Sequence, residues 1–212
     1  MKKILIFDTD GVLIDSEPIH AIARDKVLKT LNINVEENTN LAIGRSKPVF
    51  YQMMIDKYLL PYTAEELSKL EFEKIIEIMR DMNIKAMRGV NEILKYLKNK
   101  GIIIGLASSS FKNYITNILQ ITQIEKYFDY IVCGDEISKP KPAPDIYLKI
   151  LEKVGIEAKD AFAIEDSTTG IKSATLAGIK CFGYNDKEIK STQNFSLCYK
   201  IIGDLIEIKD YI

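Results

Sequence analysis

Asp8 and Asp10 stand one residue apart at the end of the run Ile4-Leu5-Ile6-Phe7-Asp8-Thr9-Asp10-Gly11-Val12. Carboxylates this close disfavour joint ionisation unless a cation or a shared proton lies between them. A hard divalent ion such as Mg²⁺ suits such oxygen donors. An Asp-Gly pair is also an ordinary turn former, but a turn leaves the repulsion unexplained. Three further clusters carry chemistry-bearing side chains: Ser108-Ser109-Ser110, Lys139-Pro140-Lys141-Pro142-Ala143-Pro144-Asp145, and Glu165-Asp166-Ser167-Thr168-Thr169-Gly170. Two acidic clusters, hydroxyls and a lysine are what phosphoryl transfer requires, because the transferred group carries spread negative charge and the protein mainly positions it among cations and donors. A carboxylate nucleophile explains why the single histidine suffices. Neither G-x-x-x-x-G-K-[ST] nor G-x-S-x-G occurs, which argues against P-loop and serine-hydrolase chemistry.

The elements that must position these residues follow from apolar periodicity. Ile4–Phe7 reads as a buried strand that delivers both aspartates at its carboxyl end, where open α/β sheets place their chemistry. Further apolar runs predict strands at 102–107, 130–133, 161–164 and 180–184, and helices span roughly 89–100, 111–120, 143–154 and 168–178. Strands that are apolar throughout, alternating with helices, imply a parallel sheet covered on both faces. Between the first strand and this alternation, residues 17–83 read as helix upon helix. Pro18 suits a first helical position, with Ile19, Ile22, Ala23, Val27 and Leu31 on one stripe; Pro48 opens a second helix to about 59, and Thr63 caps a third over 64–82. The serines at 108–110 precede a helix, where they would cap it and hold an anion. The prolines stiffen the loop that presents Lys141. From Ile201 a short strand and a final helix are expected. The fold class is α/β: a Rossmann-like parallel-sheet core, residues 1–15 and 85–212, with a helical cap of residues 16–84 inserted after the first strand as a lid.

The order Asp8-x-Asp10-Gly11-Val12, Ser108, Lys141-Pro-x-Pro-Asp145, Glu165-Asp166-Ser167-x-x-Gly170 resembles the four motifs of the haloacid dehalogenase phosphohydrolase superfamily. It is most similar to the subgroup of β-phosphoglucomutase and small sugar phosphatases. The resemblance implies that Asp8 is the nucleophile that becomes an aspartyl phosphate. Asp10 would be the general acid and base and would offer its backbone carbonyl to Mg²⁺. Ser108, with Ser109, and Lys141 would bind the phosphoryl group, and Asp166 with Glu165 would complete the metal site with Asp8. In the cap, His20, Arg45 and Lys47 fall where the mutase handles its substrate. Lys47, however, replaces an arginine and lacks its bidentate fork, and Arg24 replaces a tryptophan. The expected activity is therefore Mg²⁺-dependent hydrolysis of a small phosphorylated sugar or polyol. β-Phosphoglucomutase activity is the alternative, and a non-enzymatic phosphometabolite sensor a remote one.

Bulk composition narrows the partners. With 29 Lys and Arg against 30 Asp and Glu, the net charge of −1 gives no field to attract nucleic acid or an anionic membrane. Cys133, Cys181 and Cys198 are odd in number and widely spaced, as expected of reduced structural thiols. No signal peptide precedes the first strand, and no apolar run approaches the roughly 20 residues of a membrane span. A monomeric, cytoplasmic protein with a small phosphorylated partner is expected.

Overall fold

The run that ends in Asp8 is a strand, β1 (Ile4–Phe7), and all its side chains are buried. It is apolar throughout because both faces of the sheet are covered: Ile4 and Ile6 join Ala107, Val132, Ile146, Tyr147 and Ile150 in one core, while Leu5 and Phe7 alternate to the opposite face. Each such fully buried side chain contributes about 1.5–3 kcal/mol. The computed structural model describes residues 3–42, 47–186 and 192–212.

The chain divides into two compact units, Met1–Asp15 with Lys85–Ile212, and Ser16–Ile84. The first unit holds α4 (Val90–Asn99), β2 (Ile103–Ser108), α5 (Lys112–Ile121), β3 (Tyr130–Cys133), α6 (Asp145–Val154), β4 (Ala161–Glu165), α7 (Thr168–Leu176), β5 (Lys180–Tyr184) and β6 (Lys200–Ile202). The six strands form a parallel sheet in the order β3-β2-β1-β4-β5-β6. From β1 the chain builds outward through β2 and β3, then returns to the other side of β1 with β4. That reversal opens a crevice at the carboxyl ends of β1 and β4, the place where open α/β sheets bind ligands.

The second unit contains α1 (Glu17–Thr30), α2 (Lys47–Tyr58) and α3 (Ala64–Asp81), with α1 and α2 both packed on α3 around Val27, Leu28, Phe50, Tyr51, Met54 and Leu67. The α1 stripe is rotated from its expected position. Leu28 is buried, Ile22 is 41% exposed and Leu31 only half-buried, because Ile19, Ala23 and Val27 define the inward line and Ile22 falls beside it. The tail after β6 is a 3-10 segment, Leu205–Asp210, rather than an α-helix. Asp204 starts it by accepting from the Ile206 N–H at 3.0 Å. Among the described residues, no helix is long and apolar enough to cross a membrane.

Candidate active site

Asp8 leaves β1 still in register, its N–H donating to the Ile164 carbonyl of β4 at 3.1 Å. The chain then curls tightly: Thr9 O accepts from the Leu13 N–H at 2.8 Å, and Gly11 takes a left-handed φ of 75°. A β-carbon at Gly11 would run into the Asp166 carboxylate. Glycine at this position therefore lets the two acidic clusters approach each other. In the first turn of α7, Gly170 makes room for Glu165 at the end of β4, whose carboxylate lies where a β-carbon would sit.

Lys141 joins these clusters. Its ammonium donates to Asp8 Oδ1 at 2.7 Å, to Glu165 Oε1 at 2.5 Å and to the Ala107 carbonyl of β2 at 3.0 Å. Those three acceptors use all three of its protons. Glu165 is completely buried and also accepts from the Tyr147 hydroxyl of α6 at 2.6 Å and from Ser167 Oγ at 3.2 Å. Ser167 in turn caps α7 by accepting from the Gly170 N–H at 3.1 Å.

Carboxylate oxygens of Asp8, Glu165 and Asp166 all lie within 4.8 Å of one another. Three carboxylates thus face one ammonium. Burial, followed by repulsion from Glu165, pushes the Asp166 carboxyl up to about 7. Burial and the Glu165 and Asp166 charges likewise drive Asp8 well above the usual carboxylate range, against the pull of Lys141. Burial opposes the charge on Lys141, but Asp8 and Glu165 together outweigh it and raise its affinity for the proton. An excess of buried oxygen donors over positive charge is the donor set of a hard divalent cation, so these residues fit Mg²⁺.

The Asp10 side chain lies outside this cluster. Its Oδ1 accepts from the Tyr114 hydroxyl of α5 at 3.1 Å, and its Oδ2 from Ser110 Oγ at 3.4 Å. Ser108 is buried, and its Oγ accepts from the Ser110 N–H at 3.2 Å, whereas Ser109 is exposed. None of these serines caps α5. The Lys112 N–H donates instead to Asp135 Oδ1 from the loop after β3, at 3.2 Å, so a carboxylate rather than a hydroxyl satisfies the helix start.

In the helical unit, Lys47 donates to His20 Nδ1 at 2.9 Å and forms an ion pair with Glu71, which is buried and also accepts from Tyr51 OH at 2.6 Å. An anion meeting Lys47 would have to compete with Glu71. Arg45 lies outside the described residues, with Gly44 and Ser46.

Sequence reasoning missed Tyr114, Tyr147 and Glu71. The tyrosines carried a readable signal: each lies in the apolar stripe of its helix, Tyr114-Ile115-Ile118-Leu119 and Ile146-Tyr147-Ile150-Leu151, and a buried phenol needs a partner for its hydroxyl.

A profile of haloacid dehalogenase-like hydrolases matches residues 5–184, which spans β1 through β5 and every residue of the site in the sheet unit. The chain belongs to that family. Among haloacid dehalogenase-like relatives, the phosphorylated carbohydrates phosphatase of Thermotoga maritima is 30% identical over 179 residues, covering 84% of this chain and 82% of its own. A phosphoglycolate phosphatase of Pseudomonas savastanoi is 26% identical, covering 97% and 78%. In structure the chain is similar to a putative β-phosphoglucomutase of Thermotoga maritima, with a TM-score of 0.83, 26% identity and complete coverage of both chains. The enzymatic reading of the sequence holds, and so does the parallel-sheet fold class.

Proposed function

We propose that this family member is a Mg²⁺-dependent phosphatase that hydrolyses a small phosphorylated sugar or polyol through an aspartyl phosphate on Asp8. The observation that carries this reading is the Asp8 carboxylate at a strand tip, held by Lys141 at 2.7 Å beside Glu165 and Asp166. Lys141 fixes Oδ1; Oδ2 accepts from no other described side chain and is the oxygen offered to phosphorus. As Asp8 attacks, its bond to phosphorus forms and the ester P–O bond breaks. Asp10 gives its proton to the departing alkoxide. Water then attacks the aspartyl phosphate as the Asp10 carboxylate takes a proton from it, which releases inorganic phosphate and restores Asp8. Asp8, Asp166, Glu165 and the Asp10 carbonyl would hold Mg²⁺, which supplies charge stabilisation for the phosphoryl oxygens. Ser108, with Ser109, and Lys141 are assigned to those oxygens as well. Substrate choice is assigned to the 16–84 unit as a cap, with His20, Arg45 and Lys47 as candidates. The names of the relatives support the substrate class. A monomeric, cytoplasmic enzyme completes the proposal.

β-Phosphoglucomutase is the second reading, favoured by the structural likeness to a protein of that name. The experiment measures inorganic phosphate release with Mg²⁺ from sugar, polyol and nucleotide monophosphates, against conversion of β-glucose 1-phosphate to glucose 6-phosphate with the bisphosphate present. A phosphatase releases phosphate from the panel and leaves the isomerisation slow, whereas a mutase reverses that ranking. Asp8→Asn is expected to lower either activity by about 10³-fold or more, since it removes the nucleophile. An unaltered turnover in that variant would show that the reaction does not pass through an aspartyl phosphate on Asp8, whereas no turnover of any phosphate ester by the wild-type chain would favour the sensor.

A further inference from the structure

We infer that Tyr114 is a positioning residue for Asp10, holding Oδ1 of that carboxyl so that the group keeps one orientation as it exchanges protons with the leaving group and with water. The inference rests on the reading of Asp10 as general acid and base. Tyr114 is 3% exposed, and its hydroxyl meets Asp10 Oδ1 at 3.1 Å, while the Ser110 hydroxyl meets Oδ2 at the longer distance of 3.4 Å. The shorter contact comes from a buried ring and the longer from a half-buried serine.

The phenol donates to Oδ1 and thereby restrains the orientation of the Asp10 carboxyl. The ring has a firm base. Ile115, Ile118 and Leu119 are buried on the same helix, the Lys112 N–H is tied to Asp135 at 3.2 Å, and the Gly134 N–H donates to the Ser110 carbonyl at 2.9 Å. Proton transfer is sensitive to such placement, because a catalytic group must hold a near-attack geometry to be effective. β3 and α5 thereby join the machinery through one aromatic side chain that acts through Asp10.

Leaving-group chemistry separates this role from packing. An alkoxide needs a proton as it departs, whereas p-nitrophenolate leaves unprotonated, and kcat/KM reports only the steps up to aspartyl-phosphate formation. With Tyr114→Phe, the ratio of kcat/KM for glucose 6-phosphate to that for p-nitrophenyl phosphate is expected to fall about ten-fold, a fraction of the full general-acid contribution. With Asp10→Asn the same ratio should fall about 10²-fold or more. A partly unfolded preparation lowers both rates alike and cancels in the ratio, and Tyr114→Met serves if the phenylalanine variant is unstable. Equal losses on both esters in the Tyr114 variants, with the ratio still lowered by Asp10→Asn, overturn the inference and leave the acid–base reading standing. A ratio unmoved by Asp10→Asn overturns that reading first.

Discussion

Lys141 is the residue whose removal exposes the electrostatic problem the site solves. Its side chain is 5% exposed and its partners Asp8 and Glu165 are nearly or fully enclosed. Removing one member of a buried ionic set leaves the others uncompensated, which typically costs about 3–5 kcal/mol, more than the intact pair contributes against an apolar replacement. Lys141→Met keeps the length of the stem and deletes the charge. In metal-free protein it is expected to lower unfolding stability by about that amount, read from urea midpoints. Excess Mg²⁺ should recover part of the loss, since the crowded carboxylates then regain a cation. A midpoint unchanged by the substitution would show that Asp8 and Glu165 tolerate each other without Lys141 and that the cluster has no call for positive charge.

At the scale of elements, α3 shows how far local sequence rules reach. Thr63 Oγ1 accepts from the Glu66 N–H at 3.2 Å and Glu66 Oε2 accepts from the Thr63 N–H at 2.7 Å, a reciprocal cap legible as Thr-x-x-Glu. Thr63→Ala should cost about 1 kcal/mol, measured as a shift of the urea midpoint; a shift near zero would mean that packing alone fixes the helix start. The same reading placed β1, the three helices α1 to α3 and the strand-helix alternation, because continuous apolar runs and caps are local signals. α5 was located, but the serines expected to cap it do not. The groups that satisfy it, Asp135 on Lys112 and Gly134 on Ser110, come from the loop after β3 and are brought near only by the pairing of β2 with β3. The candidate site divides along the same line. Asp8, Asp10 and Asp166 were legible as charged residues at strand tips, and Lys141 as the lysine of a proline-stiffened loop. Tyr147 and Tyr114 stand within the apolar stripes of α6 and α5, and Glu71 is distinguished from the other acids of α3 only by its contacts with Lys47 and Tyr51 of α2.

On the scale of the whole molecule, the carboxylate cluster couples stability to pH and metal in opposite senses. The Asp166 carboxyl is raised to about 7 by burial and by Glu165, against roughly 3.9 in an unfolded chain, and Asp8 is raised with it. Below pH ~4 native and unfolded chains both hold the protons, and neither group costs the native state anything. From there to about 7 the unfolded chain releases protons that the native state retains, so metal-free stability falls as pH rises, and above about 7 the part due to Asp166 is complete. Glu136 is shifted the other way, held below its ordinary value by Lys153 and the Cys133 N–H against the cost of burial, so its contribution is lost only in more acid solution, outside this window. Mg²⁺ binds ionised oxygens, and its increment must grow as those protons leave. Thermal melts at pH ~5 to ~8, with a chelator or with excess Mg²⁺, should therefore show a metal-free Tm that declines and a Mg²⁺-induced rise in Tm that widens through about 7. Asp166→Asn removes the charge at nearly constant shape. It should raise the metal-free Tm at pH ~8, abolish most of the Mg²⁺ increment and suppress phosphate release, a trade of function for stability typical of crowded active sites. A Mg²⁺ increment that is flat across this range in the wild-type chain would mean that the cation binds away from Asp166, and the strand-tip carboxylates would then need another explanation for being buried together.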